Sequence, residues 1–279
     1  MSQSKLETMS HQLLKGKRGI ISGALDENSI AWKVAEKCHA EGASFVLTNA
    51  PIAMRMGEIN KLAESTNSKI IPADATNMDE LKALFEGAIE HLGGKIDFVL
   101  HSIGMSPNIR KNIPYTGLNY DFYQKSLDVS AMSLHKMLSV AYNMDAINEW
   151  GSVVALSHIA AQRTYPFYTD MADAKAMLES VARSFGYHYG KHRHVRVNTI
   201  SQSPTKTTAG SGIKGFGDFY DYADKISPLG NADANACADY CVLMFSDMSR
   251  MVTMQNLYHD GGYSNTGISN EVMEMFGKE

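Results

Sequence analysis

A tyrosine and a lysine two helical turns apart are the residues of this sequence best suited to proton chemistry. Tyr168 precedes Lys175 by seven positions within a helical pattern, so both side chains are expected on one helix face. A phenol there can donate to a carbonyl oxygen that gains negative charge, and a nearby ammonium lowers the cost of a phenolate. The spacing indicates a reductase pair, although a packed tyrosine beside a surface lysine produces the same spacing.

The turn after the first predicted strand has features of a phosphate-binding site. Gly23 allows a tight exit from the strand, and Ser29 can cap the next helix, so that backbone N–H groups face a pyrophosphate. The turn lacks the GxGxxG spacing, and taken alone it is a weak signal. Residues 74–75 and 102–104 follow two further predicted strands, at the sheet edge where this architecture binds ligands. A dinucleotide site is predicted at that edge.

The end of the second predicted strand leaves the choice of coenzyme open. NAD-binding folds often place an acid there for the adenosine 2′-hydroxyl. This chain has Asn49, Ala50 and Pro51 instead, none of which is acidic. Arg55 could meet the 2′-phosphate of NADPH, but a solvated helix arginine explains it equally well. The residues alone therefore do not separate NADH from NADPH.

Apolar runs that predict strands alternate with amphipathic helical stretches between residues 19 and 247, which indicates βαβ units and a parallel sheet. We predict a doubly wound, Rossmann-type α/β fold with about seven parallel strands, as one domain over 1–279 with a loose extension at 1–13. The predicted strands are 19–22, 44–48, 69–73, 96–102, 152–157, 195–201 and 256–259. The predicted helices are 29–41, 52–66, 78–92, 119–147, 167–190 and 232–246.

Residues 205–227 depart from this alternation. They combine small residues with the aromatic side chains of Phe216, Phe219, Tyr220 and Tyr222. A mobile lid over an apolar ligand fits that mixture, and a surface loop with a short helix is the alternative.

Composition excludes several classes of function. The net charge of -4 provides no basic surface for nucleic acid, and no apolar run reaches the roughly 18 residues that span a bilayer. Three scattered cysteines fit a reducing cytoplasm, and Cys237 and Cys241 are expected as small core residues rather than a metal or redox pair. The histidines at 188, 192 and 194 lie among basic residues, so no metal site is predicted.

In chain order, these motifs resemble those of the bacterial enoyl-acyl-carrier-protein reductases, within the short-chain dehydrogenase/reductase superfamily. The resemblance covers roughly residues 14–265. The matching motifs are Gly23 with Ser29-Ile30-Ala31, His101-Ser102-Ile103-Gly104, Tyr168-x6-Lys175, Ser203-Pro204-Thr205-Lys206-Thr207, Ser211-Gly212-Ile213-Lys214 and His259-Asp260-Gly261-Gly262. The widened Tyr-x6-Lys spacing is specific, because ordinary members of the superfamily use Tyr-x3-Lys and residue 172 here is alanine.

The resemblance implies NADH-dependent reduction, with NADPH possible, of the trans-2 double bond of an acyl-carrier-protein thioester in fatty-acid elongation. Tyr168 would stabilise the enolate and Lys175 would hold the nicotinamide ribose. His158 would be the third catalytic residue. The implied cofactor contacts are Gly23, Ser29, Ile30, Ala50, Asp74, Ala75, Ser102, Ile103, Gly104, Lys175, Pro204, Thr205 and Thr207. The implied substrate contacts are Met105, Ser106, Tyr168, Met171 and Phe216.

His158 is a departure, since the family usually has a second tyrosine ten residues before the catalytic one. An imidazole can also donate a hydrogen bond, but its unperturbed pKa near 6.5 makes its charge sensitive to pH. We predict that His158 keeps a polar wall near the thioester and makes activity depend more strongly on pH.

Two other functions compete with enoyl reduction. A carbonyl or 3-ketoacyl reductase has the same fold, but the absence of Tyr-x3-Lys disfavours it. A dinucleotide-binding protein without turnover is the second alternative, and intact Tyr168 and Lys175 argue against it. For the enoyl reductase, the expected partner is an acyl-carrier protein near Lys206 and Lys214, and the expected assembly is a cytoplasmic homotetramer with contacts from 257–276.

Overall fold

Short runs rich in apolar residues form one seven-stranded parallel sheet in the computed structural model, which describes residues 10–55 and 57–277. The strands are β1 (Arg18–Ser22), β2 (Ser44–Thr48), β3 (Lys69–Ile70), β4 (Ile96–His101), β5 (Ile147–Ser157), β6 (Arg196–Gln202) and β7 (Asn256–His259). They lie in the order β3-β2-β1-β4-β5-β6-β7. The order reverses between β1 and β4, and this switch point is where doubly wound folds bind ligands. The predicted fold class is confirmed.

Helices connect the strands and cover both faces of the sheet. The longer ones are α1 (Ile30–Ala40), α3 (Ile59–Thr66), α4 (Met78–Leu92), α6 (Tyr120–Leu127), α7 (Ser133–Asn143), α8 (Thr169–Arg193), α10 (Phe216–Ile226), α11 (Ala234–Phe245) and α12 (Asn270–Phe276). Single turns form α2 (Pro51–Met54), α5 (Pro107–Arg110) and α9 (Thr208–Ser211). Helices α1 and α11 pack on one face of the sheet, and α4, α7 and α8 pack on the other.

Both cores are built from the inward faces of these helices and the apolar residues of the central strands. Phe98 on β4 and Phe245 on α11 stack with ring centroids 4.7 Å apart in the first core. Tyr189 on α8 is buried in the second core and donates its hydroxyl to the Leu138 carbonyl. Cys237 and Cys241 are buried in the first core, which confirms that they are core residues.

Several element boundaries differ from the prediction. The third strand ends at Ile70 rather than 73, and the fifth begins at Ile147 rather than 152, beside a shift in register with β4. The helix predicted at 52–66 is divided into α2 and α3, and the one at 119–147 is divided by a π-helical segment, Asp128–Met132. Apolar periodicity locates these helices but does not reveal where hydrogen bonding changes register.

The chain before β1 is attached to the domain from residue 11 onward. The backbone N–H groups of His11 and Leu13 donate to the Glu41 carboxylate, and Leu14 is completely buried. Residues 11–13 of the predicted loose extension are therefore held against the domain, and residues 1–9 lie outside the described residues. Within the described part of the chain, no helix has the length and hydropathy needed to cross a membrane.

The segment 205–227, predicted as a mobile lid or as a surface loop with a short helix, contains two helices. The short α9 is followed by a turn and then by the amphipathic α10, which packs against α12. The hydroxyl of Ser269, which precedes α12, donates to the Lys225 carbonyl at the end of α10. The predicted lid thus has a helical body that is held from its C-terminal side.

Candidate active site

The loop after β1 approaches the loop after β4 very closely. Gly23 has a φ of 93°, and a Cβ there would lie 1.9 Å from the Ser102 carbonyl oxygen. The N–H of Gly23 donates to the Thr48 carbonyl of β2. A side chain at position 23 would force these loops apart, so glycine is required where the predicted phosphate-binding turn meets the next strand.

A small pocket opens at the carboxyl ends of β1, β2 and β4. It brings together Ala50, Asp74, Ala75 and Ile103, four of the residues predicted to bind the cofactor. Asp74 is held in place because one carboxylate oxygen accepts from both the N–H and the hydroxyl of Thr76. The remaining lining residues are Ser22, Thr48, Asn49, Ala73, Thr76, Leu81, Leu84, Val129 and Met137. The lining thus combines small and apolar side chains with polar groups such as those of Asn49, Asp74 and Thr76.

The start of α1 differs in detail from the prediction. Ser29 occupies the N-cap position, but its side chain makes no capping bond; the hydroxyl donates to the Asp26 carbonyl and accepts from the Leu25 N–H. Ser29 therefore fixes the shape of the turn, and the first-turn N–H groups, including that of Ile30, are not engaged by a side-chain cap. The N–H groups of such a helix N-terminus can donate hydrogen bonds to a phosphate oxygen.

The segment after β6 leads into the lid. Pro204 is buried, and the hydroxyl of Thr205 donates to the Ser203 carbonyl. The hydroxyl of Thr207 caps α9 by accepting from the Gly210 N–H. These contacts place Thr205 and Thr207 at the hinge between the sheet edge and the lid.

Tyr168 immediately precedes α8, and Lys175 lies two turns into it, on the same side as predicted. Lys175 is 8% exposed, and its ammonium donates to the Leu156 carbonyl of β5 at 2.7 Å. A Cβ on Gly104 would lie 3.8 Å from Lys175 Nζ, so the loop after β4 borders the lysine directly. The tyrosine, the lysine and residues 102–104 are therefore assembled at one sheet edge.

Burial has opposite effects on the pKa values of these two groups. It raises the pKa of Tyr168 to about 12 and lowers that of Lys175 to about 8, an effect that the Glu179 charge opposes. Desolvation sets the direction of the Tyr168 shift, so the protonated phenol is the favoured form even with the Lys175 ammonium nearby. At neutral pH the phenol is protonated and the lysine is predominantly charged.

His158 lies at the end of β5, with its ring centroid 5.0 Å from that of Tyr168. Its Nδ1 accepts from the Ala160 N–H, which leaves Nε2 to carry the proton of the neutral ring. Burial and the Lys175 charge lower the pKa of His158 to about 4. The imidazole therefore can donate next to Tyr168, but the predicted pH sensitivity near neutrality is wrong, because the ring remains neutral there.

The predicted substrate residues occupy two different settings. Met171 belongs to a small apolar cluster with Ile109 and Ala174, against which Tyr168 and Ile213 pack. Met105 follows Gly104, whose added Cβ would lie 3.9 Å from Met171 Cε, and the Met105 backbone N–H donates to the Ser130 hydroxyl. The cluster is an apolar surface against which Tyr168 packs.

Two of those predictions change. Ser106 is buried and its hydroxyl is fully engaged, donating to Asp170 and accepting from the Ile109 N–H, so it is less suited to contact a substrate than predicted. Phe216 packs within the lid, with its ring centroid 6.2 Å from that of Tyr220. Phe219, one helical turn later, is the residue that faces the site.

His158, Tyr165, Phe167, Tyr168 and Phe219 form a cluster that we call the aromatic wall, and sequence reasoning missed Tyr165 and Phe167. The Phe219 ring centroid lies 6.0 Å from His158, 5.1 Å from Tyr165 and 5.4 Å from Phe167. The concentration of aromatic residues at 165–168, just before the lysine-bearing helix, was an available signal. Through this wall the lid helix contacts the residues around Tyr168.

His101 is a second omission, although it begins one of the sequence motifs. It is fully buried at the end of β4, and its Nε2 lies 2.8 Å from the Ser133 hydroxyl oxygen. Because that hydroxyl donates to the Val129 carbonyl, Nε2 is the donor. Burial and the Lys175 charge lower the pKa of His101 to about 3. Two neutral imidazoles thus lie within the electrostatic influence of Lys175.

The switch point, the glycine turn and the Tyr168–Lys175 pair together define the short-chain dehydrogenase/reductase class. The model of one family within it, described as enoyl-(acyl carrier protein) reductase, matches residues 23–264. The chain belongs to that family.

Named relatives and solved structures agree with this assignment. The chain is 30% identical to enoyl-[acyl-carrier-protein] reductase [NADH] FabI of Aquifex aeolicus, over 96% of each chain. It is 33% identical to enoyl-[acyl-carrier-protein] reductase [NADH] 2 of Rhizobium meliloti, over 92% of this chain and 94% of the relative. The FabI–NADH complex of Alistipes finegoldii superposes with a TM-score of 0.94 at 59% identity, covering 96% of this chain and 94% of that one.

Proposed function

We propose that this chain reduces the trans-2 double bond of enoyl thioesters carried by an acyl-carrier protein, with NADH as the reductant. The observation that carries the proposal is the convergence of Tyr168, Lys175 and residues 102–104 at the sheet edge that also forms the small-residue pocket. Family membership supplies the substrate class, because Tyr-x6-Lys is the spacing of enoyl reductases.

Tyr168 stabilises the charge that the reaction develops. When bound, NADH supplies the hydride that adds to the β-carbon of the thioester. The protonated Tyr168 phenol donates to the thioester carbonyl as negative charge collects on its oxygen, and the resulting enolate takes up a proton from solvent at the α-carbon to complete the reduction. His158 presents its Nε2–H beside that phenol as a second donor.

Lys175 provides the positive charge of the site. Its ammonium is fixed by the Leu156 carbonyl and has two further protons with which to hold the ribose hydroxyls. Its charge also favours the enolate over the neutral thioester, since the surroundings are buried. Gly104 leaves the approach to Lys175 uncovered, because it has no side chain next to Nζ.

The remaining site residues divide between the two ligands. For the cofactor we propose contacts from the turn at Gly23 to Ile30, from the pocket residues Ala50, Asp74 and Ala75, from 102–104 and from 204–207. For the acyl chain we propose contacts from Met105, Met171 and Tyr168, with Phe219 of α10 in place of the predicted Phe216. The structural features that support this division are the pocket lining and the apolar cluster.

Assembly and partner follow from the family by the same reasoning. We propose a single-domain subunit of a cytoplasmic homotetramer that meets the acidic carrier protein near Lys206 and Lys214. Lys206 lies 4.1 Å from the centre of the Tyr220 ring in the lid, which keeps its ammonium near the entrance. Its position supports electrostatic guidance of an acidic partner.

The test is NADH oxidation by the purified protein with crotonyl thioester, compared with acetoacetyl thioester, NADPH, and no substrate. We expect turnover with crotonyl thioester and NADH, and a fall in kcat of about 10²–10³-fold for Tyr168→Phe, because the carbonyl donor is lost. Tyr187→Phe is the matched control, since Tyr187 is an exposed tyrosine on α8, and it should retain wild-type kcat.

The other outcomes assign the protein differently. Turnover only with acetoacetyl thioester would establish the ketone reductase instead. Binding of NADH without oxidation of either thioester would establish the non-catalytic binder. Preference for NADPH would overturn the coenzyme assignment alone.

A further inference from the structure

Asp170 is a buried carboxylate that the chemistry described above does not use. It is completely inaccessible, lies in the first turn of α8 and follows Tyr168 by two residues. Its Oδ1 accepts from the Ser106 hydroxyl at 2.6 Å, and its Oδ2 accepts from Asn108 Nδ2 at 2.8 Å. The Ser126 hydroxyl oxygen lies 2.7 Å from Oδ2 and shares its one proton between Asp170 and the Phe122 carbonyl. Three elements therefore meet on one side chain.

The charge of Asp170 is balanced by these donors rather than by a cation. Among residues 10–55 and 57–277, no basic side chain forms an ion pair with it. The position at the start of a 25-residue helix adds favourable interaction with the helix dipole. Hydrogen bonds to a charged acceptor are stronger than neutral ones, so the contacts of Asp170 are well suited to fix geometry.

The donors belong to the segment between β4 and α7, which carries the proposed substrate residue Met105. Ser106 adjoins Met105 and caps α5. The side chain of Asn108 also donates to the Asn119 carbonyl and accepts from the Asn119 N–H. It therefore joins α5 to the residue that precedes α6. Ser126 brings in α6. Asp170 therefore connects the whole loop to the start of α8.

The other wall of the proposed acyl slot is the beginning of α8 itself. Thr169, between Tyr168 and Asp170, has a φ of 36°, which is a strained conformation for a β-branched residue. Its hydroxyl donates to Asp170 Oδ1 at 3.0 Å. The carboxylate thus binds both the strained entry to the helix and the loop opposite it.

We infer that Asp170 is a positioning residue that sets the width of the acyl slot, by fixing the Met105 loop against the Tyr168–Met171 end of α8. The inference rests on the proposed function. Long acyl chains should depend on this width more than the four-carbon crotonyl group does, because they extend past Tyr168 along Met105 and Met171.

Asp170→Asn is the direct test, because it keeps the side-chain size but places an N–H₂ group among donors. We expect KM for a dodecenoyl thioester to rise about tenfold, while KM for crotonyl thioester, kcat and KM for NADH stay within about twofold. The ratio of the two thioester KM values is the informative measurement, since general destabilisation does not alter it selectively.

Two further variants complete the test. Asp173→Asn is the matched comparison, because Asp173 lies one turn further along α8 and accepts from the hydroxyls of Tyr115 and Tyr123, at the outer side of the same segment. It should move the KM ratio less than Asp170→Asn does, since it lies further from Met105. Ser126→Ala removes one donor to Asp170 without changing charge, and should shift the ratio about two- to threefold in the same direction. It provides the answer if Asp170→Asn fails to fold.

A parallel rise in KM for both thioesters, an unchanged ratio in both Asp170→Asn and Ser126→Ala, or an equal shift in Asp173→Asn would overturn the inference. Failure of the proposed function is separate, because the wild-type protein would then oxidise NADH with neither enoyl thioester.

Discussion

At the residue scale, the chemistry depends on which side chains remain protonated when they are buried. Tyr168 remains a donor because desolvation raises its pKa to about 12, and Lys175 remains charged at neutral pH although its pKa falls to about 8. His158 is the opposite case, since burial and the lysine charge keep the imidazole neutral. A neutral imidazole with a fixed Nδ1 acceptor bond can replace a tyrosine as a donor without bringing a charge into the site.

These values predict the pH dependence of activity. We expect kcat/KM with crotonyl thioester to be level between about pH 5.5 and 7.5 and to fall on the alkaline side near pH 8, as the Lys175 ammonium is deprotonated. His158 does not titrate in the level region, because its pKa is about 4. His158→Tyr should therefore keep the shape of the profile. A step near pH 6.5 that disappears in this variant would contradict the conclusion that the His158 ring stays neutral in this pH range.

At the scale of elements, the lid is positioned by the same residues that surround the reaction. Helix α10 is amphipathic, and its buried face places Phe219 on the aromatic wall, while its C-terminal end is bonded to the segment before α12. The entrance to α8 is similarly tied down: the Tyr165 and Tyr263 hydroxyls are hydrogen-bonded, so the turn before Tyr168 is joined to the chain after β7. The position of α10 and the placement of Tyr168 are thus structurally connected through Phe219 and Tyr165.

Truncation of Phe219 tests this connection. Phe219→Ala removes a ring that is 8% exposed, and should cost on the order of 3 kcal/mol of lid stability while leaving the sheet intact. We expect faster cleavage within 205–227 by a protease, and a higher KM for long-chain thioesters. Tyr222→Ala, which truncates a 45% exposed aromatic on the same helix, is the control. Equal cleavage rates for the two variants would show that α10 is not held by the aromatic wall.

At the scale of the whole molecule, the order of the strands places the site in a crevice at one edge of the sheet. Elsewhere on the surface, several large apolar side chains are exposed. The reversal between β1 and β4 places both halves of the site at one edge. Away from it, Ile268 is 74% exposed and Phe276 is 82% exposed, in the C-terminal segment predicted to supply subunit contacts. Exposed apolar side chains of this size fit a surface buried by oligomerisation.

Light scattering checks the proposed assembly. We expect a mass four times that of the 30.7 kDa chain, reduced by Ile268→Glu because a charge would be buried in the contact. Ile52→Glu, which changes a similarly exposed isoleucine outside 257–276, should retain the full mass. A monomer in the wild type, or dissociation by both variants, would argue against contacts through this segment.

The sequence by itself determined the fold class, the number of strands and the residues most suited to the chemistry, while the order of the strands in the sheet came from the structure. Alternating apolar runs and helical periods are local patterns, and in a parallel sheet they require the strand ends to share one edge. That is why Gly23, residues 102–104, Tyr168 and Lys175 could be grouped before their distances were known.

Only the tertiary structure decided the protonation states, the face of the lid and the support of the slot. The pKa of His158 depends on burial and on a lysine seventeen positions away, and the choice of Phe219 over Phe216 depends on the rotation of α10. Asp170 joins residues up to 64 positions apart. Desolvation and long-range hydrogen bonds arise only when distant segments pack together, so no local pattern encodes them.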